Sequence, residues 1–152
     1  SDERLEDVDF SETYLKLPLV AITRAGVKVK DSKDFKNKKI GVQLGSSHEQ
    51  TVKALAEKDS SIHVVSLNKL GALLQELSAG RIHAVLMELT AAQAFMASNK
   101  DLIMHMIPDH QIDFAIAFAK GSPWVAKVNQ SLQRLKSAGE LEKLKNKWFK
   151  LN

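Results

Sequence analysis

The chain has 152 residues, 44% of them hydrophobic and 26% charged, which is the composition of a globular protein with an ordinary core. The formal net charge is +4, but 18 acidic residues interleave with the basic ones and only 6% of the residues are aromatic, so a nucleic-acid-binding surface is disfavoured. No apolar run reaches the ~18 residues of a transmembrane helix. The chain has no Cys, which suits an oxidising compartment.

The first third of the chain predicts strands separated by polar connections. An apolar stretch at 15–22 predicts a strand, and Pro18 within it, which has no N–H to donate, places that strand at an edge or a crossover. A short helical turn is predicted at 31–35. A strand over 40–44 and a helix over 47–57 follow.

The remainder predicts strands that alternate with helices, a pattern typical of βαβ units with a largely parallel sheet. We expect Asn68 and Thr90 to cap two of the helices, Gly80 and Gly139 to end helices, and Pro123 to begin one. Pro108 is expected to close a strand. The predicted strands span 62–65, 82–87, 102–107 and 114–118, and the last helix spans 140–149.

The stretch from Ile40 to Gln50 carries most of the chemical information. A short strand runs into Gly45, and Ser46 and Ser47 each stand three residues before a Glu or Gln, so either serine can form a capping box. The free N–H groups of the helix that follows suit an anion such as a carboxylate or phosphate. The alternative is an ordinary capped helix that binds nothing. Nucleotide binding is disfavoured because neither a Walker lysine nor a GxGxxG spacing is present.

Glu88 follows the predicted strand at 82–87, so it stands at the same sheet edge as the serines. Ligands of open α/β sheets lie beyond the carboxyl ends of the strands. One strand end therefore offers donors and the other a carboxylate, which complements an amino-acid zwitterion. The alternative for Glu88 is an acid favoured by the helix dipole.

Other chemistries lack a pattern in the sequence. The five His residues show no HExxH spacing and have no Cys partner, so no metal site is predicted. The Ser residues lack a GxSxG context, and no catalytic residue or cofactor is predicted. Trp124 and Trp148 have helical spacing with apolar neighbours, which favours a place in the core.

Four stretches, in the same order along the chain, resemble the bacterial extracellular solute-binding proteins of the polar amino-acid type, which are the binding components of ABC importers. Their motifs are Thr-x-x-Arg with Val-Asp-Phe-Ser-x-x-Tyr, Gly-Lys-x-Val-Gly-Val-Gln-x-Gly-Thr, Leu-x-x-Gly-Arg-x-Asp-Ala, and a C-terminal helix pair. The matching residues are 1–14, 38–47, 77–85 and 138–149.

The resemblance implies an α/β fold of the periplasmic binding protein type 2 class. It implies one complete lobe at 20–111, and a partial second lobe made of 1–19 and 112–152 with the C-terminal helices. Because family members are longer and their Thr-x-x-Arg motif comes well inside the first lobe, the chain is expected to be a fragment that lacks the start of that lobe.

The family pattern also implies the ligand-binding residues. Arg4 matches the arginine that holds the ligand α-carboxylate through a forked contact, and Ser47, with its neighbour Ser46, matches the serine or threonine that meets the same group. Glu88 falls where an acid receives the α-ammonium. His83 stands at a family Asp and is interpreted as structural.

The leading functional hypothesis is therefore a periplasmic or lipid-anchored amino-acid receptor, which binds its ligand between two lobes and delivers it to an ABC permease. An enzyme of the same fold, similar to a cyclohexadienyl or arogenate dehydratase, and a sensory receptor module are the alternatives. A homodimer or a domain swap is expected from apolar helix faces left without a sheet. Those faces carry Val125, Val128, Leu132, Leu135, Leu141, Leu144 and Trp148.

Overall fold

The computed structural model describes residues 7–149. The chain divides into two compact units, a larger one from Pro18 to Gln111 and a smaller one formed by the segments before and after it. Two long strands, β2 (Leu15–Arg24) and β6 (Leu102–Phe114), each begin in one unit and end in the other.

The larger unit is built on a five-stranded sheet with the strand order β4-β3-β5-β2-β6. The strands β3, β4 and β5 are parallel to one another, and β2 runs antiparallel to β5. The helices of this unit are α1, α2 and α3, and a 3₁₀ turn precedes β3. The bounds are β3 Lys39–Gln43, β4 His63–Leu67, β5 Ala84–Glu88, α1 Ser47–Lys58, α2 Leu70–Ser78, α3 Leu89–Met96 and the turn Ser32–Phe35.

The core of the larger unit lies between this sheet and its helices, where apolar residues of strands and helices are fully buried. Close packing explains why β3 carries a glycine. A Cβ on Gly41 would lie 2.6 Å from Ile82 Cδ1 and 3.0 Å from Leu73 Cδ2, so any side chain there would force these neighbours to move. The buried residues include Val20, Ile22, Phe35, Ile40, Val42, Leu73, Leu77, Leu86 and Ile107.

His83 joins β3 to the connection that precedes β5. Its Nδ1 accepts a hydrogen bond from the Lys39 N–H at 2.9 Å, and its own backbone N–H donates to the Lys39 carbonyl at 2.9 Å. Burial lowers the pKa of His83, and the positive charges of Lys38, Arg24 and Lys39 lower it further. These contacts agree with the structural role interpreted from the sequence.

The smaller unit pairs two short strands, β1 (Val8–Phe10) and β7 (Ala117–Ala119), in antiparallel register. Its helices α4 (Trp124–Ser137) and α5 (Glu140–Phe149) contain no buried residue. Three large apolar side chains of these helices, Leu135, Leu144 and Trp148, are 41%, 49% and 69% exposed.

The strand end predicted at Pro108 is wrong, and the strand predicted at 114–118 overlaps the last residue of β6 and the first two residues of β7. The structure has a single strand β6 that runs through Pro108, and β7 follows it. A residue without a backbone N–H is tolerated there because β6 is the last strand in the sheet order and needs no ladder bond on its outer side. Pro18 lies just before the β2–β5 register, which begins at Leu19.

The predicted caps at Asn68 and Thr90 are also wrong. The residues at the N-cap positions of α2 and α3 are Lys69 and Glu88, and neither makes a side-chain cap bond. The helix α3 begins directly after β5 because Leu89, its first residue, is fully buried and fixes the start by packing. Gly80 and Gly139, with φ of 74° each, follow the helix ends as predicted.

The two tryptophans do not lie in a core. Trp124 is 59% exposed and Trp148 is 69% exposed. Each ring instead lies under a lysine ammonium of its own helix, with Lys127 Nζ 4.9 Å from the Trp124 centroid and Lys147 Nζ 5.6 Å from the Trp148 centroid. Helical spacing with apolar neighbours therefore does not separate a core tryptophan from one on an uncovered helix face.

Candidate functional site

The candidate site lies in the larger unit, at the carboxyl ends of β3 and β5. These strands are parallel neighbours, with Ile40 opposite Ala84 and Gly41 opposite Val85. Continuing this register brings the residue after β3 level with Glu88, the last residue of β5. The sheet thus brings the Gly45-Ser46-Ser47 turn and Glu88 to one edge, as the sequence predicts.

Gly45 makes the turn between β3 and α1. Its φ is +75°, a conformation that residues with a side chain rarely adopt. The Ser46 N–H donates to the Gln43 carbonyl at 3.2 Å and closes the turn. The chain therefore leaves the strand sharply and presents the first turn of α1 at the sheet edge.

Ser46, and not Ser47, is the N-cap of α1. Its Oγ accepts from the Glu49 N–H at 3.2 Å and donates its proton to the Gln43 carbonyl at 2.6 Å. Because the hydroxyl proton is already used within the turn, the Ser46 side chain is not a free donor for a ligand.

Ser47 is the first residue of α1 and its side chain is exposed. The N–H groups of Ser47 and His48 have no acceptor within the helix, because no earlier turn exists. The Ser47 Oγ lies 3.1 Å from His48 Nδ1. Backbone donors, a hydroxyl and the positive end of a helix dipole thus face the same side, an arrangement that suits a carboxylate.

Glu49 holds this turn from inside the protein. Its side chain is only 7% exposed, although it carries a carboxylate. One oxygen accepts from the Gly45 N–H at 2.7 Å; the other accepts from Ser66 Oγ of β4 at 2.7 Å and pairs with Lys53 Nζ at 2.8 Å. The bond from Lys53 is the largest cause that lowers the pKa of Glu49 to about 2, followed by the bonds from Ser66 and Gly45.

His48 follows Ser47 in the first turn of α1, and its imidazole is also influenced by Glu88. Burial lowers the pKa of its imidazole, while the charge of Glu88 raises it. The two side chains are therefore within electrostatic reach of each other, and His48 is neutral at pH 7. Glu88 itself is half-buried at the end of β5.

The structure describes three of the four ligand-binding residues predicted from the sequence. Arg4 lies outside the described residues, so its place is known only from the sequence. Ser46, Ser47 and Glu88 lie at one sheet edge. Sequence reasoning missed His48 as a neighbour of Glu88, and it treated Glu49 only as a capping residue. The capping-box spacing did indicate a role for Glu49. However, its carboxylate accepts a hydrogen bond from the Gly45 N–H and not from the N–H of the N-cap residue Ser46. Its second partner, Ser66, lies on β4, and no local spacing indicates that contact.

Residues 7–149 show neither a metal-binding cluster nor a membrane-spanning helix. In that part of the chain, no three His, Asp or Glu side chains are grouped so as to hold a metal ion. None of the helices described there is long and apolar enough to cross a membrane.

The fold defines the class, which is that of the type 2 periplasmic binding proteins. The chain belongs to the bacterial extracellular solute-binding proteins, family 3, whose sequence profile matches residues 1–151.

Two named relatives are similar to this chain over nearly all of its length. The arginine-binding extracellular protein ArtP of Bacillus subtilis is 36% identical over 97% of this chain, and the L-cystine-binding protein TcyJ of Escherichia coli is 29% identical over 98%. The chain spans 58% and 56% of the length of those two proteins.

Solved structures show the same fold. An amino acid ABC transporter substrate-binding protein, AbpA from Streptococcus pneumoniae bound to L-arginine, matches with a TM-score of 0.72 and 32% identity, over 99% of this chain and 64% of its own. An ancestral arginine-binding protein bound to glutamine matches with a TM-score of 0.72 and 31% identity, over 98% of this chain and 67% of its own.

Proposed function

We propose that this chain carries the amino-acid-binding function of an ABC importer's extracellular receptor. The observation that supports it most directly is the pairing of free donors at the start of α1 with the carboxylate of Glu88 at the same sheet edge. A zwitterion offers the complementary charges. The named relatives are binding proteins for amino acids, which supports the same ligand class here.

In this proposal each residue has one role. The first-turn N–H groups and the hydroxyl of Ser47 bind the α-carboxylate, with Arg4 as a forked partner. Ser46 supports the site by capping α1 and closing the turn, since its N–H and its hydroxyl both donate to the Gln43 carbonyl. Glu88 accepts hydrogen bonds from the α-ammonium.

Calorimetry with the twenty amino acids tests this function. We expect saturable binding of at least one amino acid, weakened by Ser47→Ala and by Glu88→Gln. The exposed residues Ser60 and Glu57 supply the matched controls Ser60→Ala and Glu57→Gln, which leave binding unchanged. Absence of binding for all twenty amino acids contradicts the proposal.

We infer further that the chain is a binding module and not an enzyme of the same fold. The relatives named above are solute-binding proteins, which supports this inference. Incubation with prephenate or arogenate is expected to leave both unchanged. Turnover that is lost in Glu88→Gln would instead assign the dehydratase alternative.

The partner and location of the protein complete the proposal. An ABC permease is the expected recipient of the ligand, and the family is extracellular, which supports a periplasmic or lipid-anchored protein. Self-association through α4 and α5 stays a prediction. The exposure of Leu135, Leu144 and Trp148 supports it, and light scattering of the protein against a Leu144→Ser, Trp148→Ser variant tests it.

A further inference from the structure

The connection from β2 to β3 carries the basic excess of the chain. Residues 28–39 hold six lysines and two aspartates, a formal charge of +4. Of the 22 basic and 18 acidic residues of the chain, 16 of each lie elsewhere, so the rest of the chain is balanced. The net charge of +4 therefore belongs to this one connection.

This connection begins and ends at the edge of the sheet opposite the candidate amino-acid site. β2 runs antiparallel to β5, so the end of β2 and the start of β3 both lie at the amino end of the parallel strands. The Lys38 carbonyl accepts from the His63 N–H at 2.9 Å, and the Lys39 carbonyl accepts from the His83 N–H at 2.9 Å. These bonds join the connection to the start of β4 and to the residue before β5, away from the carboxyl ends of the strands.

Buried side chains and a hydrogen bond anchor the connection on the larger unit. Val29 and Phe35 are only 2% and 0% exposed and belong to the core. The Asn37 N–H donates to Ser61 Oγ at 3.1 Å. The lysines between these anchors are therefore carried by a segment that is fixed at several points.

Five of the six lysines are exposed, and none of the six forms an ion pair with another described residue. The two aspartates of the connection accept from backbone donors instead: Asp31 from the Lys33 N–H at 2.9 Å, and Asp34 from the Lys30 N–H at 2.7 Å. The half-buried sixth lysine, Lys38, donates to the Asp34 carbonyl. The exposed five form a basic strip, which consists of Lys28, Lys30, Lys33, Lys36 and Lys39.

Acids outside the connection reduce its positive charge without cancelling it. The Asp109 carboxylate of β6 accepts from the Ser32 N–H at 3.2 Å, and the Asp59 carboxylate accepts from the Ser61 N–H at 3.0 Å. With both carboxylates counted against the connection, an excess of two positive charges is left. The charge of Lys58, the last residue of α1, offsets the partial negative charge of that helix end.

The chemistry of the strip favours a lipid surface over a protein or a nucleic acid. Protein interfaces are poor in lysine and rich in arginine and aromatic side chains. Residues 28–39 contain no arginine, and their single aromatic residue, Phe35, is fully buried. Platforms for single-stranded nucleic acid likewise need exposed rings on which bases stack. A charged membrane attracts lysines one by one, without a pocket, and the extracellular family of this chain works beside a membrane if it serves an importer.

We propose that the basic strip binds the surface of a membrane that contains anionic lipid. The ammonium groups face the negatively charged headgroups, and their attraction falls off within a Debye length and weakens as salt is added. Because the strip belongs to the edge opposite the candidate amino-acid site, this contact does not depend on the proposed ligand binding.

Co-sedimentation with lipid vesicles measures this contact. The full chain is mixed with vesicles of equal parts phosphatidylglycerol and phosphatidylcholine, and separately with vesicles of phosphatidylcholine alone. We expect saturable binding to the anionic vesicles at low ionic strength and none to the neutral ones. Binding to the anionic vesicles should weaken about tenfold or more when the salt is raised to about 0.5 M. Equal binding to both kinds of vesicle, or binding to neither, overturns the proposal.

Two triple variants of the same net charge separate the strip from the charge of the protein as a whole. We expect about tenfold weaker binding to anionic vesicles for the strip variant and a change of less than about twofold for the control. Equal losses in both variants would show that net charge alone attracts the vesicles, and would overturn the proposal. The strip variant carries Lys28→Gln, Lys33→Gln and Lys36→Gln. The control variant changes three exposed lysines elsewhere, Lys69→Gln, Lys100→Gln and Lys136→Gln.

A soluble acidic polymer tests the alternative of an acidic protein partner. Poly-L-glutamate that binds the strip more tightly than anionic vesicles do, at equal concentration of negative charge, would assign the strip to such a partner and overturn the lipid surface. Calorimetry with amino acids should give the same result for the strip variant and the wild type. A failure of the membrane contact can thus be told apart from a failure of the proposed amino-acid binding.

Discussion

The Gly45 N–H donates to the buried carboxylate of Glu49 across 2.7 Å. The same carboxylate accepts from Ser66 Oγ of β4 at 2.7 Å. One acidic side chain therefore ties the strand-to-helix turn to a neighbouring strand. The geometry of the Ser47 turn depends on a residue that faces away from the place where a ligand is proposed.

Replacing this carboxylate tests its part in holding the turn. In Glu49→Gln an NH₂ group takes the place of one oxygen and the remaining oxygen is uncharged, so the bond from the Gly45 N–H is lost or weakened. The ion pair with Lys53 is lost as well. We expect weaker amino-acid binding by calorimetry and an upfield shift of the Gly45 amide proton. Glu57→Gln, an exposed acid on the same helix, serves as the control and should change neither quantity.

The pKa of Glu49 predicts how stability varies in acid. Its pKa is lowered from 4.5 to about 2, chiefly by Lys53, then by Ser66 and Gly45. A lowered carboxyl pKa stabilises the folded state fully above the unfolded value, and this contribution is lost as the pH falls from about 4.5 towards about 2. Thermal melts across this window should fall more steeply for the wild type than for Glu49→Gln. Parallel slopes would contradict the contribution of this ion pair.

Local patterns in the sequence predicted the parts of the site that are local in the chain. The turn at Gly45 and a serine cap for α1 follow from residues within a few positions of one another, and both are observed. The choice between Ser46 and Ser47 as the cap needed coordinates, since both have the capping-box spacing. Contacts such as Glu49 with Ser66 join residues 17 apart, and no periodicity encodes them.

The two wrong sequence predictions at Pro108 and Thr90 also arise because local patterns do not encode tertiary contacts. Pro108 was expected to end a strand because proline lacks a ladder donor, yet β6 continues through it as the last strand of the sheet. Thr90 was expected to cap α3 because of its hydroxyl, yet the N-cap is Glu88 and the buried Leu89 begins the helix two residues earlier than predicted. In both cases tertiary context decided against a valid local preference.

His48 predicts a pH dependence of ligand binding. Burial lowers its pKa below the ordinary 6.5, so the imidazole is neutral at pH 7 and becomes charged as the solution is acidified. The imidazolium then faces Glu88 and competes with the ligand ammonium. We expect affinity to fall below pH 6.5 in the wild type and to vary less in His48→Gln. His63→Gln, at an exposed histidine, should retain the wild-type profile.

Arg4 carries the prediction that rests on the sequence alone. If its guanidinium binds the α-carboxylate, Arg4→Ala removes charged hydrogen bonds worth roughly 1.5–3 kcal/mol. Calorimetry should show this loss without a change in the melting temperature. The exposed Arg134 provides the control Arg134→Ala. Wild-type affinity in Arg4→Ala would remove this residue from the proposed site.

Two glycines of the larger unit should respond to alanine in opposite directions. A Cβ on Gly41 would lie 2.6 Å from Ile82 Cδ1 and 3.0 Å from Leu73 Cδ2, so Gly41→Ala forces these two side chains to shift, at a cost of about 1–3 kcal/mol. A Cβ on Gly71, in the first turn of α2, meets no atom within 4 Å. Gly71→Ala should therefore stabilise the protein by about 0.5–1 kcal/mol, because alanine loses less backbone entropy on folding. Urea denaturation of both variants measures the difference, and equal midpoints would show that the side chains around Gly41 shift at little cost.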